Sequence, residues 1–255
     1  MAGRSTVLVV RPAADAEALA RRLTPMGIDA IISPVMTIKA SGPSEIAVDG
    51  AQALLITSVQ AVRTGLSRLS GDRRALPPLW AVGDATAEAA KAAGMADVRA
   101  GPGDAAGLAQ ALTAYLDPAD GPLLYLAGRT RKPDLEAALQ AAGFAVDTVP
   151  VYDAVPAATL SPEALAALGR GRVDAVLLYS ARTARLLGDL AHRCDVAAGL
   201  TRASAVCLSP AVAEAAAAIG ARTVVAPRPD TAALLSALGD ALGLDVSTHR
   251  EQGEP

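Results

Sequence analysis

Leu54-Leu55-Ile56-Thr57-Ser58 and Val176-Leu177-Leu178-Tyr179-Ser180 decide the fold. Each is a short apolar run that ends in two hydroxyl-bearing residues, the pattern of a buried strand running into a helix cap. The same order of landmarks surrounds both. Leu19, Gly27 and Pro34-Val35 are spaced by eight and seven, and Leu135, Gly143 and Pro150-Val151 repeat that spacing. Gly83, Gly94 and Leu108 are spaced by eleven and fourteen, and so are Ser209, Gly220 and Leu234. Gly, Pro and hydroxyl positions carry the repeat, because alanine-rich segments align with one another for trivial reasons. A duplicated half is therefore expected.

Outward from these stretches, short apolar runs alternate with Ala/Leu segments of helical period. Strands are expected at 6–10, 28–33, 53–57, 79–82, 122–127, 144–149, 174–179, 204–208 and 222–226. Helices are expected at 14–26, 58–70, 84–93, 104–116, 131–142, 161–169, 180–192, 210–219 and 231–242. Ser161-Pro162 and Ser209-Pro210 pair an N-cap serine with proline at the first helical position. Gly27, Gly94, Gly143 and Gly220 follow Ala/Leu segments and suit C-terminal caps. This alternation predicts α/β architecture: two similar parallel-sheet, flavodoxin-like, three-layer domains joined by a two-stranded connector.

The Pro-Val stretches 34–40 and 150–157 lack a following helix and read as connector strands. Domain 1 is then discontinuous, 1–33 with 158–243, and domain 2 is 41–149. Residues 244–255 read as a disordered polar tail. Two adjacent connectors predict a hinge, with the working site in the cleft between the domains.

Composition excludes several functions. The chain has 255 residues, net charge −3 and 2% aromatic residues, too few stacking platforms for a nucleic-acid reader. No apolar run approaches the ~20 residues of a membrane helix, and Val7-Leu8-Val9-Val10 is too short for an export signal. A cytoplasmic protein is expected. Cys194 and Cys207 give neither a disulfide framework nor metal spacing, and Cys207 reads as a buried strand cysteine. With His192 and His249 the only histidines, a histidine metal site or triad is not expected. No G-x-G-x-x-G, Walker loop, G-x-S-x-G or H-E-x-x-H occurs; Gly101-Pro102-Gly103-Asp104-Ala105-Ala106-Gly107 has one residue too many and a proline inside.

The strand-to-helix junctions remain. In a parallel sheet they lie at the carboxyl ends of the strands, where ligands bind, and a helix N-terminus offers N–H groups to an anion. The junctions are Thr57-Ser58-Val59, Gly83-Asp84-Ala85-Thr86, Gly128-Arg129-Thr130, Tyr179-Ser180-Ala181 and Ser209-Pro210-Ala211. Several such ends suit a ligand with several carboxylates or phosphates. Ser58, Ser180, Ser209 and Asp84 read equally as plain N-caps, and Asp84 would repel an anion. Arg11, after the first strand, is a surface residue or an anion contact. Arg129, Arg131 and Lys132 form a solvated face or a ligand contact. Tyr152 packs on its connector strand or turns its hydroxyl to the site, and Trp80 reads as core.

Val7-Leu8-Val9-Val10-Arg11-Pro12, Ile56-Thr57-Ser58 with Ala61-Val62, Ala81-Val82-Gly83 with Thr86-Ala87, and Val151-Tyr152 together resemble the successive signatures of the uroporphyrinogen-III synthase family over residues 6–242. The resemblance implies a lyase of tetrapyrrole biosynthesis. Such an enzyme cyclises the linear tetrapyrrole hydroxymethylbilane with loss of water and inversion of ring D, without cofactor or metal. The terminal hydroxyl leaves to give an azafulvene, ring D is attacked at its substituted end, and a spiro intermediate fragments and recloses. It gives substrate-facing roles to Thr57, Ser58, Gly83, Thr86, Tyr152, Tyr179 and Ser180, with Tyr152 as proton donor to the departing hydroxyl. It further implies a monomer in transient contact with hydroxymethylbilane synthase, and no nucleic acid or membrane partner. One junction departs from the family's Ile-Gly-x-x-Thr-Ala: here it is Leu208-Ser209-Pro210-Ala211-Val212-Ala213. That departure keeps an inactive paralogue as an alternative; a non-catalytic two-domain polyanion-binding module, which would share the cleft and hinge, is another.

Overall fold

The computed structural model describes residues 4–72 and 75–244; the expected tail over 245–255, with His249, lies outside them. Eleven strands and ten α-helices occur among the described residues. In the first third, β1 (Ser5–Val9), α1 (Ala13–Leu23), β2 (Ile28–Ile32), β3 (Met36–Ala40), β4 (Ala53–Ile56), α2 (Val59–Gly65), β5 (Leu79–Ala81), α3 (Asp84–Ala92) and β6 (Val98–Ala100) follow in order. The middle holds α4 (Ala105–Tyr115), β7 (Leu123–Gly128), α5 (Asp134–Ala141) and β8 (Val146–Pro156). The remainder holds α6 (Pro162–Gly169), β9 (Ala175–Leu178), α7 (Ala181–Arg193), α8 (Ala197–Arg202), β10 (Ser204–Cys207), α9 (Pro210–Ala216), β11 (Arg222–Val225) and α10 (Thr231–Leu242).

The chain divides into two compact units. One is discontinuous, residues up to Thr37 with those from Val155 on; the other is continuous, Ile38–Ala154. The chain passes between them within β3 and within β8, inside the two Pro-Val stretches.

The discontinuous unit has a parallel sheet in the order β2-β1-β9-β10-β11. Alternate strand residues face opposite layers. Leu8, Val10, Val176, Leu178, Ala205 and Cys207 pack under α6, α7, α8 and α9. Val7, Val9, Ala175, Leu177 and Val206 pack under α1 and α10. Cys207 is fully buried, and burial pushes its thiol up to about 11, which makes it an inert core residue.

The continuous unit has the order β8-β7-β4-β5-β6, parallel throughout, with β3 added beyond β8. Leu54, Ile56, Leu124 and Leu126 face α2 and α3; Ala53, Leu55, Leu123 and Tyr125 face α4 and α5. The addition of β3 is antiparallel. Ala157 N–H donates to the Val35 carbonyl at 2.9 Å and Ser41 N–H to the Val151 carbonyl at 3.0 Å, so partner numbers rise on one strand as they fall on the other. The two sheets match position by position when β1, β2, β4, β5 and β6 are set on β7, β8, β9, β10 and β11. With β3 set aside, each sheet takes two strands from one half of the chain and three from the other, an order a duplicated half accounts for.

The helix punctuation is local chemistry. Gly27, Gly94, Gly143 and Gly220 all carry positive φ, as expected of αL caps. The Ser58, Ser180 and Ser161 side chains accept N–H bonds from Ala61, Thr183 and Ala164, each worth about 1 kcal/mol. Two expected caps differ. Gly83 rather than Asp84 is the N-cap of α3, with Asp84 the first helical residue. Ser209 occupies the N-cap of α9, but its side chain makes no capping bond. The helix expected at 131–142 begins only at Asp134, because Pro133 restrains the residue before it from the helical region.

Candidate functional site

In this strand order the chain reverses direction between β1 and β9 in one unit and between β7 and β4 in the other. Such a switch point leaves a crevice at the strand carboxyl ends.

In the continuous unit, Leu55 and Tyr125 are register partners on one face, so Thr57, two residues on, meets the same face. The Thr57 and Tyr125 hydroxyls are 2.7 Å apart. Tyr125 is 3% exposed, and burial pushes its phenol above the ordinary range, partly offset by the bond to Thr57. The next residue, Ser58, lies 3.1 Å from the Tyr152 hydroxyl. Tyr152 owes that position to an irregularity: β8 pairs Pro150 with Ala127 but Tyr152 with Gly128, a one-residue bulge. Pro150 has no N–H to give the ladder, and a bulge tolerates that loss while re-aiming the following side chain. Gly128 completes the arrangement. A Cβ there would lie 2.7 Å from Cζ and 2.9 Å from Oη of Tyr152, so the ring occupies the space a side chain would need.

The basic cluster is more committed than its sequence position implies. Arg129 pairs with Asp153 at 3.2 Å, and its N–H donates to the Tyr152 carbonyl. Arg131 donates to both carboxylate oxygens of Glu136, Nη2 at 2.6 Å and Nε at 3.0 Å, while Thr148 Oγ1 donates to the same group at 2.7 Å. The Arg131 bonds hold the Glu136 carboxyl below its usual range. Lys132 is exposed. Lowered in the fold, the Glu136 pKa stabilises the protein above the unfolded value of about 4.3, and that contribution fades as pH falls through the folded value. Glu136→Gln is expected to cost about 1 kcal/mol at pH 7 and much less at pH 3 in urea unfolding; an equal loss at both pH values would remove the charge from the account.

In the discontinuous unit, the Arg11 guanidinium lies 4.1 Å from the Tyr179 ring centroid, a cation–π contact, and pairs with Asp15 at 3.3 Å. The Tyr179 hydroxyl is buried and has no hydrogen-bond partner among the described residues. Ser180 follows, its hydroxyl 2.8 Å from that of Thr183.

The structure thus brings Thr57, Ser58, Gly128 and Tyr152 together in one unit, and Arg11, Tyr179 and Ser180 in the other. Val59 and Ala181 open α2 and α7; Pro210 and Ala211 open α9 beside Ser209. Gly83 stands at the end of the next strand outward, where a Cβ would lie 3.1 Å from Gly103 Cα. Thr86 is 5% exposed and Val212 4%, at matching places in α3 and α9. Val212 packs within the core cluster of its unit. Trp80 is core, as expected, at 3% exposure. Tyr125, Glu136 and Thr148 were not singled out by sequence; the only signal was a hydroxyl inside the aliphatic run Leu123-Leu124-Tyr125-Leu126. A shallow depression beside α7, lined by Leu186, Leu190, His192 and Arg193, contains none of the expected residues. Among the described residues no helix is long and apolar enough to cross a membrane, and no cluster of His, Cys, Asp or Glu has metal-binding form.

Two doubly wound parallel sheets of one strand order, with hydroxyls at the switch points, define a repeated flavodoxin-type α/β protein. Two solved structures share this fold. Uroporphyrinogen-III synthetase from Helicobacter pylori 26695 aligns with a TM-score of 0.65 at 16% identity, covering 93% of this chain and 99% of that one. A mutant uroporphyrinogen III synthase from the extremely thermophilic bacterium Thermus thermophilus aligns with a TM-score of 0.57 at 22% identity, covering 94% and 99%. No curated protein matches the sequence significantly. The family description "Uroporphyrinogen-III synthase HemD" matches residues 17–236, and the chain belongs to that family.

Proposed function

We propose that the protein acts as a uroporphyrinogen-III synthase, a lyase that closes hydroxymethylbilane with loss of water and inversion of ring D. The observation that carries the reading to particular residues is the Ser58–Tyr152 contact in a chain of this family. Ser58 Oγ already accepts the Ala61 N–H, so its own proton is available for the Tyr152 oxygen. Tyr152 then keeps its O–H for the leaving hydroxyl of the substrate. Protonation lets that hydroxyl depart as water and leaves the azafulvene, while the Ser58 O–H supports the phenolate. The spiro and reclosure steps need a held conformation more than a further acid or base. The acetate and propionate groups of the substrate call for donors, which Thr57 and Lys132 offer in the continuous unit and Arg11 and Ser180 in the discontinuous one; Arg129 and Arg131 would have to leave Asp153 and Glu136 to add their charge. The reading carries with it a monomeric cytoplasmic enzyme without cofactor, in transient contact with hydroxymethylbilane synthase.

The test is incubation with freshly made hydroxymethylbilane, oxidation of the product and separation of the uroporphyrin isomers. A dominant type III isomer is expected. Type I alone, at the spontaneous rate, overturns the reading in favour of a non-catalytic polyanion binder.

A further inference from the structure

We infer that Tyr125, a residue without contact to solvent-facing chemistry of its own, is a positioning residue that turns the Thr57 hydroxyl outward as a hydrogen-bond donor to an anionic group of the substrate. The inference rests on the synthase reading and adds a residue to its site. Its geometry is one short contact, 2.7 Å between Thr57 Oγ1 and Tyr125 Oη. A hydroxyl has one proton to give and can accept as well, so the pair has two polarities.

The surroundings choose between them. Tyr125 lies on the α4/α5 face of its sheet, packed with Leu55, Leu108, Leu112, Leu135 and Leu139, and is 3% exposed. Among the described residues Thr57 is the one hydrogen-bond partner of its phenol oxygen. If Thr57 donated, the phenol proton would be left without an acceptor: Glu136 and Arg131 lie near enough to act on the phenol through their charges, but no hydrogen bond joins it to either, and buried polar groups avoid that arrangement. With Tyr125 donating, the phenol is satisfied, and the Thr57 proton is directed away from the core. Thr57 is itself half-buried at the strand end, so a proton not given to Tyr125 is open to a group in the carboxyl-end crevice. The site therefore presents a proton rather than a lone pair, which suits a carboxylate and disfavours a neutral donor group. Burial also keeps the phenol protonated, so the polarity holds across the working pH range. The other unit lacks this device: the register partner of Leu177 there is Val9, and the Tyr179 hydroxyl has no described partner.

A double-mutant cycle with hydroxymethylbilane as substrate tests the assignment. Tyr125→Phe is expected to raise KM about fivefold with kcat little changed. Thr57→Val is expected to raise it at least as much, and Thr57→Ser to retain the wild-type KM. The double variant is expected to match Thr57→Val alone, because the phenol acts only through that hydroxyl. An unmoved KM in Tyr125→Phe, or effects that multiply, overturns the role of the phenol. Wild-type protein that yields no type III isomer is a different result and overturns the synthase reading. Should Tyr125→Phe fail to fold, the readout is the hydroxyl proton of Tyr125 by NMR in wild type and Thr57→Val. It is expected to exchange slowly in the first and rapidly in the second; the same resonance in both overturns the assignment.

Discussion

Tyr152→Phe is expected to lower kcat about a hundredfold, with KM and the unfolding temperature close to wild type. The phenol oxygen is the only atom removed. The ring remains packed beside the α2/α3 layer, where Tyr152 joins Val149 and Val151 at the edge of the core. What is lost is the proton that Ser58 leaves available at 3.1 Å. Gly128→Ala supplies the complementary observation. Its Cβ would force the Tyr152 ring aside, because contacts of 2.7 Å and 2.9 Å are shorter than carbon tolerates. A ring can pivot at small cost, so the expected signature is lost turnover with retained stability. In the double variant the two losses are expected not to multiply, since a displaced phenylalanine has nothing further to lose. Wild-type turnover in Tyr152→Phe, measured by isomer analysis, would take this residue out of the reaction.

The second large effect concerns stability. Gly199→Ala is expected to cost about 3 kcal/mol and lower the unfolding temperature by about 8 °C. Gly199 lies in α8 against α6, and a Cβ would run into the backbone of Leu168, meeting its carbonyl oxygen and carbon and its Cα. Backbone atoms within a helix cannot step aside alone, so α6 and α8 must separate. Leu168 and Leu200, both buried in the layer these helices cover, then lose packing. Gly169 is the control: a Cβ there meets nothing within 4 Å, and Gly169→Ala is expected to melt with the wild type. Scanning calorimetry of the three proteins decides it. Equal melting of Gly199→Ala and wild type would show that the helices have room to yield.

Apolar runs that end in hydroxyls, glycines at repeated spacings and serine-proline caps made the strand alternation and the doubled fold legible from sequence. What escaped has physical reasons. Val98-Arg99-Ala100 is three residues long and shows two of them exposed, so its sequence carries no strand period. Ala197–Arg202 is six residues long, too short for a helical stripe. Pro150 divided a single eleven-residue strand into two, because the bulge that accommodates a proline is a property of the pair, not of either strand. In the site, Thr57 and Ser58 were visible as hydroxyls at a strand end and Tyr152 as one on a connector strand. Tyr125 was hidden because its oxygen sits inside an aliphatic run, and its meeting with Thr57 depends on the register of two strands far apart in sequence. The carboxylate that occupies Arg129 was hidden for the same reason, because Asp153 comes to it across the β7–β8 pair; Glu136 is a near neighbour of Arg131 along the chain, and nothing in the spacing marked the two as partners.

The exchange of strands between the halves orders events during translation. β1 and β2 leave the ribosome first, yet the neighbour that encloses β1 is β9, and Thr6 N–H waits for the Asp174 carboxylate 168 residues further on. The continuous unit has all its strands once β8 has emerged and can close while the last third is still being made. Until then the apolar faces of β1 and α1 have only each other and β2. A nascent chain halted after β8 therefore carries one finished sheet and one orphaned hairpin-sized piece, and it is that piece, with Leu8 and Val10 uncovered, that a chaperone would meet.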